Sequence, residues 1–252
     1  MVFVVLLEVK HIAKSFGERE VLKDVNLSLE EGSTSALVGT NGAGKTVLFN
    51  IITGFLSANK GEVLLNESNI VKLPPHRINL KGIGRTFQDL RLATNLTVLE
   101  NVMLAFKDQP GEKWWNAMLP LAKNKRNQTE LREKAELILE KAFIKDVAQH
   151  LADEISYGQQ KLLTMACLMA NDAKVFLLDE PVAGINPVYR DKMTTLFKEF
   201  KDLGKTILLI EHNADFIESV SDKVFFLNEG VIQEFDTYSD LRNDELVKEA
   251  YV

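Results

Sequence analysis

Short apolar runs alternate along the chain with amphipathic helical stretches, the pattern of an α/β domain built on a largely parallel sheet. Residues 35–38, 175–178 and 207–210 are apolar throughout or nearly so, as strands covered on both faces must be. Each run breaks into a polar cluster: Gly39 and the residues after it, Asp179-Glu180, and Glu211-His212. In open α/β sheets ligands gather beyond the carboxyl ends of the strands, so these three clusters are where chemistry is expected. The opening run at residues 2–7 also reads as a strand. It lacks the basic start and cleavage site of a signal peptide.

One helix is predicted in detail. Asn186 can cap it, Pro187 suits its first turn, Met193, Leu196, Phe197 and Phe200 form one face, and Gly204 stops it. That face should pack on the sheet. From about residue 96 to 171 strand signals fade and helical spacings such as Leu131, Ala135, Ile138 and Ala142 take over. This stretch reads as a helical insertion, which gives a single domain with a core of residues 1–95 and 172–252 and a helical subdomain of 96–171. Residues 108–128 contain Pro110-Gly111, Trp114-Trp115, Pro120 and a basic run from Lys123 to Arg126, and are expected to be a loop or irregular insertion. No internal repeat or low-complexity tract interrupts the pattern.

Composition narrows the functional classes. The net charge of -6 argues against nucleic-acid binding, which draws on a clustered basic face. A single cysteine and four scattered histidines give neither an internal disulfide nor zinc-like spacing, and fit a reducing, cytoplasmic setting. No uncharged apolar stretch approaches the roughly 18 residues that span a bilayer. If the protein serves a membrane process, other chains must supply the membrane part.

The strongest local signal is Gly39-Thr40-Asn41-Gly42-Ala43-Gly44-Lys45-Thr46, which matches G-x-x-x-x-G-K-S/T between an apolar strand and a helical pattern opening at Val47. Glycines let consecutive N–H groups curl around phosphate oxygens, and the helix presents its positive end to the same anion. Lys45 is expected to reach the β- and γ-phosphates of ATP, and Thr46 to ligate Mg²⁺. Downstream, Asp179 is placed to hold that magnesium and Glu180 to orient and polarise the attacking water.

Residues Ile155-Ser156-Tyr157-Gly158-Gln159-Gln160 resemble the signature motif of ABC ATPases, which separates the chain from other phosphate-loop NTPases. Ser156 with Gln159 is also an ordinary capping box for a helix over residues 157–171, and both readings stand at this point. The resemblance implies the ABC ATPase fold: a phosphate-loop core with a largely parallel sheet, an N-terminal antiparallel β subdomain and an inserted helical subdomain. It further implies that Ser156, Gly158 and Gln159 face the γ-phosphate held by an opposite subunit, and that Phe16 stacks on adenine. Gly39, Asn41, Gly42, Ala43, Gly44, Lys45, Thr46 and Val47 then hold ATP, and Gln88 senses Mg²⁺ and the attacking water. His212 becomes the switch histidine on the γ-phosphate, grouped with Glu180 and Gln88 in catalysis, and Gly184 with Asn186 a loop that meets the partner. Phe16 and Asn186 have bland alternatives, as a core or surface aromatic and as the helix cap already described.

The resemblance spans nearly the whole chain. The signature residues, Ala183 to Pro187, Ile210 to Asn213, the Trp-containing insertion and the closing Glu249-Ala250-Tyr251 look like the ATPase subunits of branched-chain amino acid importers. Such a chain is expected to pair with a second ATPase subunit, like or unlike, on two membrane permease subunits, at the cytoplasmic face of the membrane, served by an external binding protein. Exporters of lipid-linked sugars share several of these loops, and soluble ABC ATPases acting on ribosomes or DNA form a different class. The latter usually carry two ATPase domains or long coiled-coil arms, for which this chain has no room. Thr40 and Val47 depart from the commonest phosphate-loop residues without removing a phosphate-binding N–H. Residues 161–167 lack the arginines and glutamate that commonly follow the signature.

Overall fold

The computed structural model describes residues 4–88, 90–107 and 121–250. The chain divides into two compact units, Met1–Gln88 with Ala173–Ala183 and Phe197–Val252, and Asp89–Asp172 with Gly184–Leu196. Residues 184–196 thus fall with the helical unit, although the sequence boundaries leave them with the core.

In the first unit, β1 (Val5–Phe16) and β2 (Arg19–Glu30) form a hairpin, and β3 (Thr34–Val38) leads into helix α1 (Lys45–Ile52). There follow β4 (Lys60–Leu65), β5 (Ser68–Asn69), helix α2 (Pro75–Leu80) and β6 (Ile83–Arg85). Strands β1, β2, β4 and β5 make an antiparallel sheet in the order β2-β1-β4-β5. Along β2, Leu22, Val25, Leu27 and Leu29 are buried while the residues between them are mostly exposed. A one-residue slip would turn that whole set outward, at about 1.5–3 kcal/mol for each side chain, so burial fixes the register.

The second unit carries α3 (Val98–Ala105), α4 (Leu121–Lys141), α5 (Tyr157–Asn171) and the first part of α6 (Pro187–Asp202). Helix α3 opens with a capping box between Thr97 and Glu100, and α5 with one between Ser156 and Gln159. The expected stripe is present along α4 and just past its end: Ala135 and Ala142 are buried and Leu131 and Ile138 half-buried, and Leu139 is buried beside them. Helix α4 begins at Leu121, inside the segment that the sequence assigns to a loop. The stretch 121–128 has no apolar periodicity to announce a helix, but its Ala, Lys, Arg and Gln residues favour one. The Pro110-Gly111 and Trp114-Trp115 pairs lie outside the described residues, as does Tyr251 of the closing segment.

The chain completes the first unit with β7 (Val175–Asp179), β8 (Thr206–Ile210), helix α7 (Ala214–Val220), β9 (Lys223–Asn228), β10 (Val231–Phe235), and helices α8 (Tyr238–Asn243) and α9 (Glu245–Ala250). The larger sheet runs β10-β9-β3-β8-β7-β6; β9, β3, β8, β7 and β6 are parallel, and β10 is an antiparallel edge. Every residue of β3, β7 and β8 is buried, as continuous apolar runs between two covered faces require. The C-terminal part of α6 meets this sheet as predicted: Phe200 packs edge-on against Phe176 of β7, with ring centroids 5.1 Å apart. Gly204 ends the helix at φ +69, the left-handed conformation that suits glycine.

Candidate active site

Strand register builds the site. Leu37 lies opposite Ile210, Ile210 opposite Asp179, and Arg85 opposite Leu177. The loops that leave β3, β8, β7 and β6 therefore emerge together at one sheet edge, although they are far apart in sequence. They surround a cleft of about 420 Å³. Asn41, Gly42, Gly44, Lys45, Thr46 and Val47 form one wall, and Gln88, Asp179, Glu180 and His212 face it. Ile210 of β8 and Arg19 and Val21 of β2 complete the lining; the last two are positions that nothing in the sequence distinguishes from other strand residues.

Two glycines of the phosphate-type loop, Gly39 and Gly44, are packed closely against their surroundings. A Cβ on Gly39 would stand 2.2 Å from the Leu227 carbonyl oxygen, and one on Gly44, at φ +108, 2.9 Å from Leu22. Gly39 and Ala43 shape the loop without lining the cleft. Helix α1 starts at Gly44 with no side-chain cap and no acid in its first turn, which leaves its first N–H groups and its positive end to an anion. Lys45 is buried, and its Nζ donates to the carbonyls of Gly39 at 2.6 Å and Thr40 at 3.0 Å. Burial lowers its pKa from the usual lysine value, while the charges of Glu180 and Asp179 act the other way. An arriving polyanion would favour the ammonium form and so offset that desolvation.

Across the cleft, Asp179 is buried, and its backbone N–H donates to Thr86 Oγ1 at 3.0 Å, tying the end of β7 to the end of β6. Arg85 lies 3.9 Å from the Asp179 carboxylate; it donates to Asn50 and Thr53 of the α1 segment and has the ring of Phe87 4.7 Å away. Glu180 sits at φ +48, a conformation that costs a non-glycine residue about 1–3 kcal/mol and persists only where neighbours impose it. One of those is Ile210, whose carbonyl accepts the Glu180 N–H at 2.9 Å. The Glu180 carboxylate and His212 Nε2 are 3.7 Å apart. Gln88 is exposed at the cleft. Arg85, Thr86 and Glu211 are contributors that the sequence shows only as neighbours of more telling residues.

Phe16 lies at the β1–β2 turn, half exposed, with Lys14 Nζ 5.2 Å from its ring centre. It does not line the cleft, but its cross-strand partner Arg19 does.

The signature residues form a separate cluster in the second unit. Ser156 is exposed and Gly158 buried. Gln159 spends its side chain on its own helix start, its Oε1 accepting from Ser156 N at 2.9 Å. Tyr189 of α6, unremarked in the sequence, covers the cluster: its hydroxyl is 3.2 Å from Ser156 Oγ, and a Cβ on Gly158 would stand 2.4 Å from its ring. Asn186 caps α6 by accepting from Tyr189 N at 3.2 Å, as the bland reading expects. Gly184, at φ +74, is backed by the ring of Tyr157.

The donor set of the cleft suits Mg²⁺ carried by a nucleotide. Among the described residues no group of three or more His, Cys, Asp and Glu could hold a metal alone. Mg²⁺ characteristically takes one or two protein carboxylates and completes its shell with phosphate and water, and Asp179, Thr46 and Gln88 offer that partial set of hard oxygens. Among the described residues no helix is long and apolar enough to cross a membrane.

Comparison with known proteins identifies the family. Residues 22–183 match the family described as ABC transporter. The chain is 34% identical over 247 residues to the probable branched-chain amino acid transport ATP-binding protein LivG of Archaeoglobus fulgidus, covering 98% of this chain and 95% of that one. It superposes with TM-score 0.83 and 32% identity on the ADP conformation of MJ1267, an ATP-binding cassette of an ABC transporter, covering 98% of each. A dimeric post-hydrolysis state of the cassette MJ0796 bound to ADP and Pi gives TM-score 0.75 at 26% identity, over 92% of this chain and 98% of that one. With the matched residues running from β2 through the phosphate loop and the signature helix to the loop after β7, the chain belongs to the ABC transporter family, as one of its ATP-binding cassettes.

Proposed function

We propose that this cassette powers uptake of branched-chain or related amino acids. It pairs with a second ATPase subunit beneath two membrane permease subunits, at the cytoplasmic face of the membrane, and an external binding protein delivers the cargo. The observation that carries the ATPase part is the convergence of Lys45, Thr46, Gln88, Asp179, Glu180 and His212 on one cleft. The cargo rests on the name of the relative from Archaeoglobus fulgidus, and the pairing on the dimeric state of MJ0796.

The chemistry follows from the placement of the side chains. Lys45 gives up its carbonyl contacts to the β- and γ-phosphates, where a mobile ammonium on a short tether makes charge-assisted hydrogen bonds. Thr46, Asp179 and Gln88 are the residues that would hold Mg²⁺, which when bound neutralises charge on the transferring phosphoryl group. Glu180 orients a water in line with the γ-phosphorus and accepts its proton, and His212 donates toward the γ-phosphate oxygens. Phe16 supports the adenine from the hairpin turn. The exposed Ser156 hydroxyl, with Gly158, Gln159 and the start of α5, is offered to the nucleotide of the partner subunit, and Gly184 with Asn186 to its surface. ATP then acts as the glue of the closed dimer, and hydrolysis reopens it.

Glu180→Gln tests this reading. The amide keeps the shape but cannot take a proton, so turnover should fall by about 100- to 10,000-fold while ATP is still bound. Sedimentation with ATP and Mg²⁺ should show this variant shifting from monomer to dimer, and addition of Ser156→Arg should abolish the shift. A double variant that still dimerises overturns the shared site. If the single variant stays monomeric, the same measurement with the companion ATPase subunit decides between self-pairing and an unlike pair.

A further inference from the structure

Glu211 ends β8 inside the protein, 3% exposed, yet among the described residues it makes no ion pair. Its carboxylate is occupied by backbone alone: Oε1 accepts from Val182 N at 3.1 Å, and Oε2 from His212 N at 2.6 Å and Asn213 N at 3.0 Å. Val182 stands two residues beyond Glu180, and His212 is the switch position itself. A buried carboxylate carries a large desolvation cost, which here is offset by three backbone hydrogen bonds from two separate loops. What this residue supplies is a span. One short side chain fastens the loop after β7 to the loop after β8.

We propose that Glu211 is a positioning residue for hydrolysis, which holds Glu180 and His212 in register by bridging the backbones of their two loops. It does not line the cleft itself. The proposal rests on the roles given above to Glu180 and His212. It also accounts for the left-handed backbone of Glu180, which is anchored on one side by the Ile210 carbonyl and two residues later by Glu211.

The chemistry separates a span from a mere charge. In Glu211→Gln the amide has one carbonyl oxygen, so its NH₂ must face either Val182 N–H or the His212 and Asn213 pair, donor against donor, and one loop is released. Glu211→Asp keeps the charge but is a methylene too short to reach both. Each variant should therefore lower kcat by about 10- to 100-fold, since small misplacements of catalytic groups cost that much, with KM within about twofold. Amide exchange should speed up at Val182 in the Asp variant and, in the Gln variant, on the side its NH₂ faces, Val182 or the His212 and Asn213 pair, while the interior of β7 and β8 stays protected. In a Glu180→Gln background, adding Glu211→Gln should change the residual rate by less than about twofold, because the group being positioned is already lost. Measurements use the full chain, with its companion subunits where turnover needs them. Should the Gln variant fail to fold, the Asp variant, which keeps the charge and the two adjacent N–H bonds, carries the same comparison.

Either of two results overturns the proposal: kcat within about threefold of wild type in the variants, or equal proportional losses in kcat, ATP affinity and the double variant, which mark a structural prop. Full turnover in Glu180→Gln would instead sink the underlying reading of the cleft, a result that the Glu211 variants cannot mimic.

Discussion

The cleft at the carboxyl ends of the strands and the start of α5, both assigned to phosphate in the proposed function, are built by opposite means. The cleft draws its groups from four strand ends spread over much of the chain, holds Asp179 and Lys45 almost out of solvent, and fixes them through register and buried hydrogen bonds. The start of α5 is local: Ser156 and Gln159 satisfy each other three residues apart, Tyr189 covers Gly158, and Ser156 stays exposed. A cavity complete within one chain can bind before any partner arrives. An exposed, self-capped helix start has little to hold an anion with until a second surface closes over it. On the proposed function, the difference is that between a binding site and half of one.

That contrast can be broken most forcefully at Lys45. Lys45→Ala removes the buried ammonium and should weaken ATP by about 2–3 kcal/mol, on the order of 100-fold, as loss of a charge-assisted contact does, and abolish turnover. Calorimetric binding checks it, and wild-type affinity would sink the phosphate-loop assignment. The same residue predicts a pH dependence. Its pKa in the free protein lies below the ordinary 10.5, because burial disfavours the ammonium and a lysine buried this way loses its proton early. ATP affinity should fall as pH rises through that lowered pKa, level off near the Lys45→Ala value, and show no such limb in Lys45→Ala itself.

Smaller effects belong to the other region. Gly158→Ala forces a methyl into the ring of Tyr189, and overpacking of this kind costs about 1–3 kcal/mol. It should impair ATP-driven association while leaving the single-chain ATP affinity within about twofold, and Tyr189→Ala should partly restore association. Equal loss of both would mean that the two regions are not separate. Smallest is Ser156→Ala, which removes a cap worth about 1 kcal/mol; thermal unfolding should register that loss, and association should fall by more than the change in stability explains. Association unchanged would leave Ser156 a cap and nothing else.

Much of the fold could be read in advance from particular residues. The largely apolar runs within β3, β7 and β8 mark doubly covered strands, and Ser156 with Gln159 locates the start of α5 to the residue. Asn186, Pro187 and Gly204 likewise bracket α6. The failure at residues 121–128 is as instructive, because a polar, basic segment with no apolar stripe gives period-based reading nothing to detect, however well its residues suit a helix.

Residue types at fixed spacing determined, by themselves, the glycine-rich turn from Gly39 to Thr46, the acidic pair after β7 and the helix starts, because backbone geometry over a few residues is a local property of glycine, proline and capping side chains. Only the tertiary structure decided that Arg19 and Val21 wall the cleft, that Thr86 and Arg85 brace Asp179, that Tyr189 covers Gly158, and that Glu211 joins two loops. Those relations come from strand order and register, which hydrophobic burial sets across the whole sheet, and no window of sequence contains them.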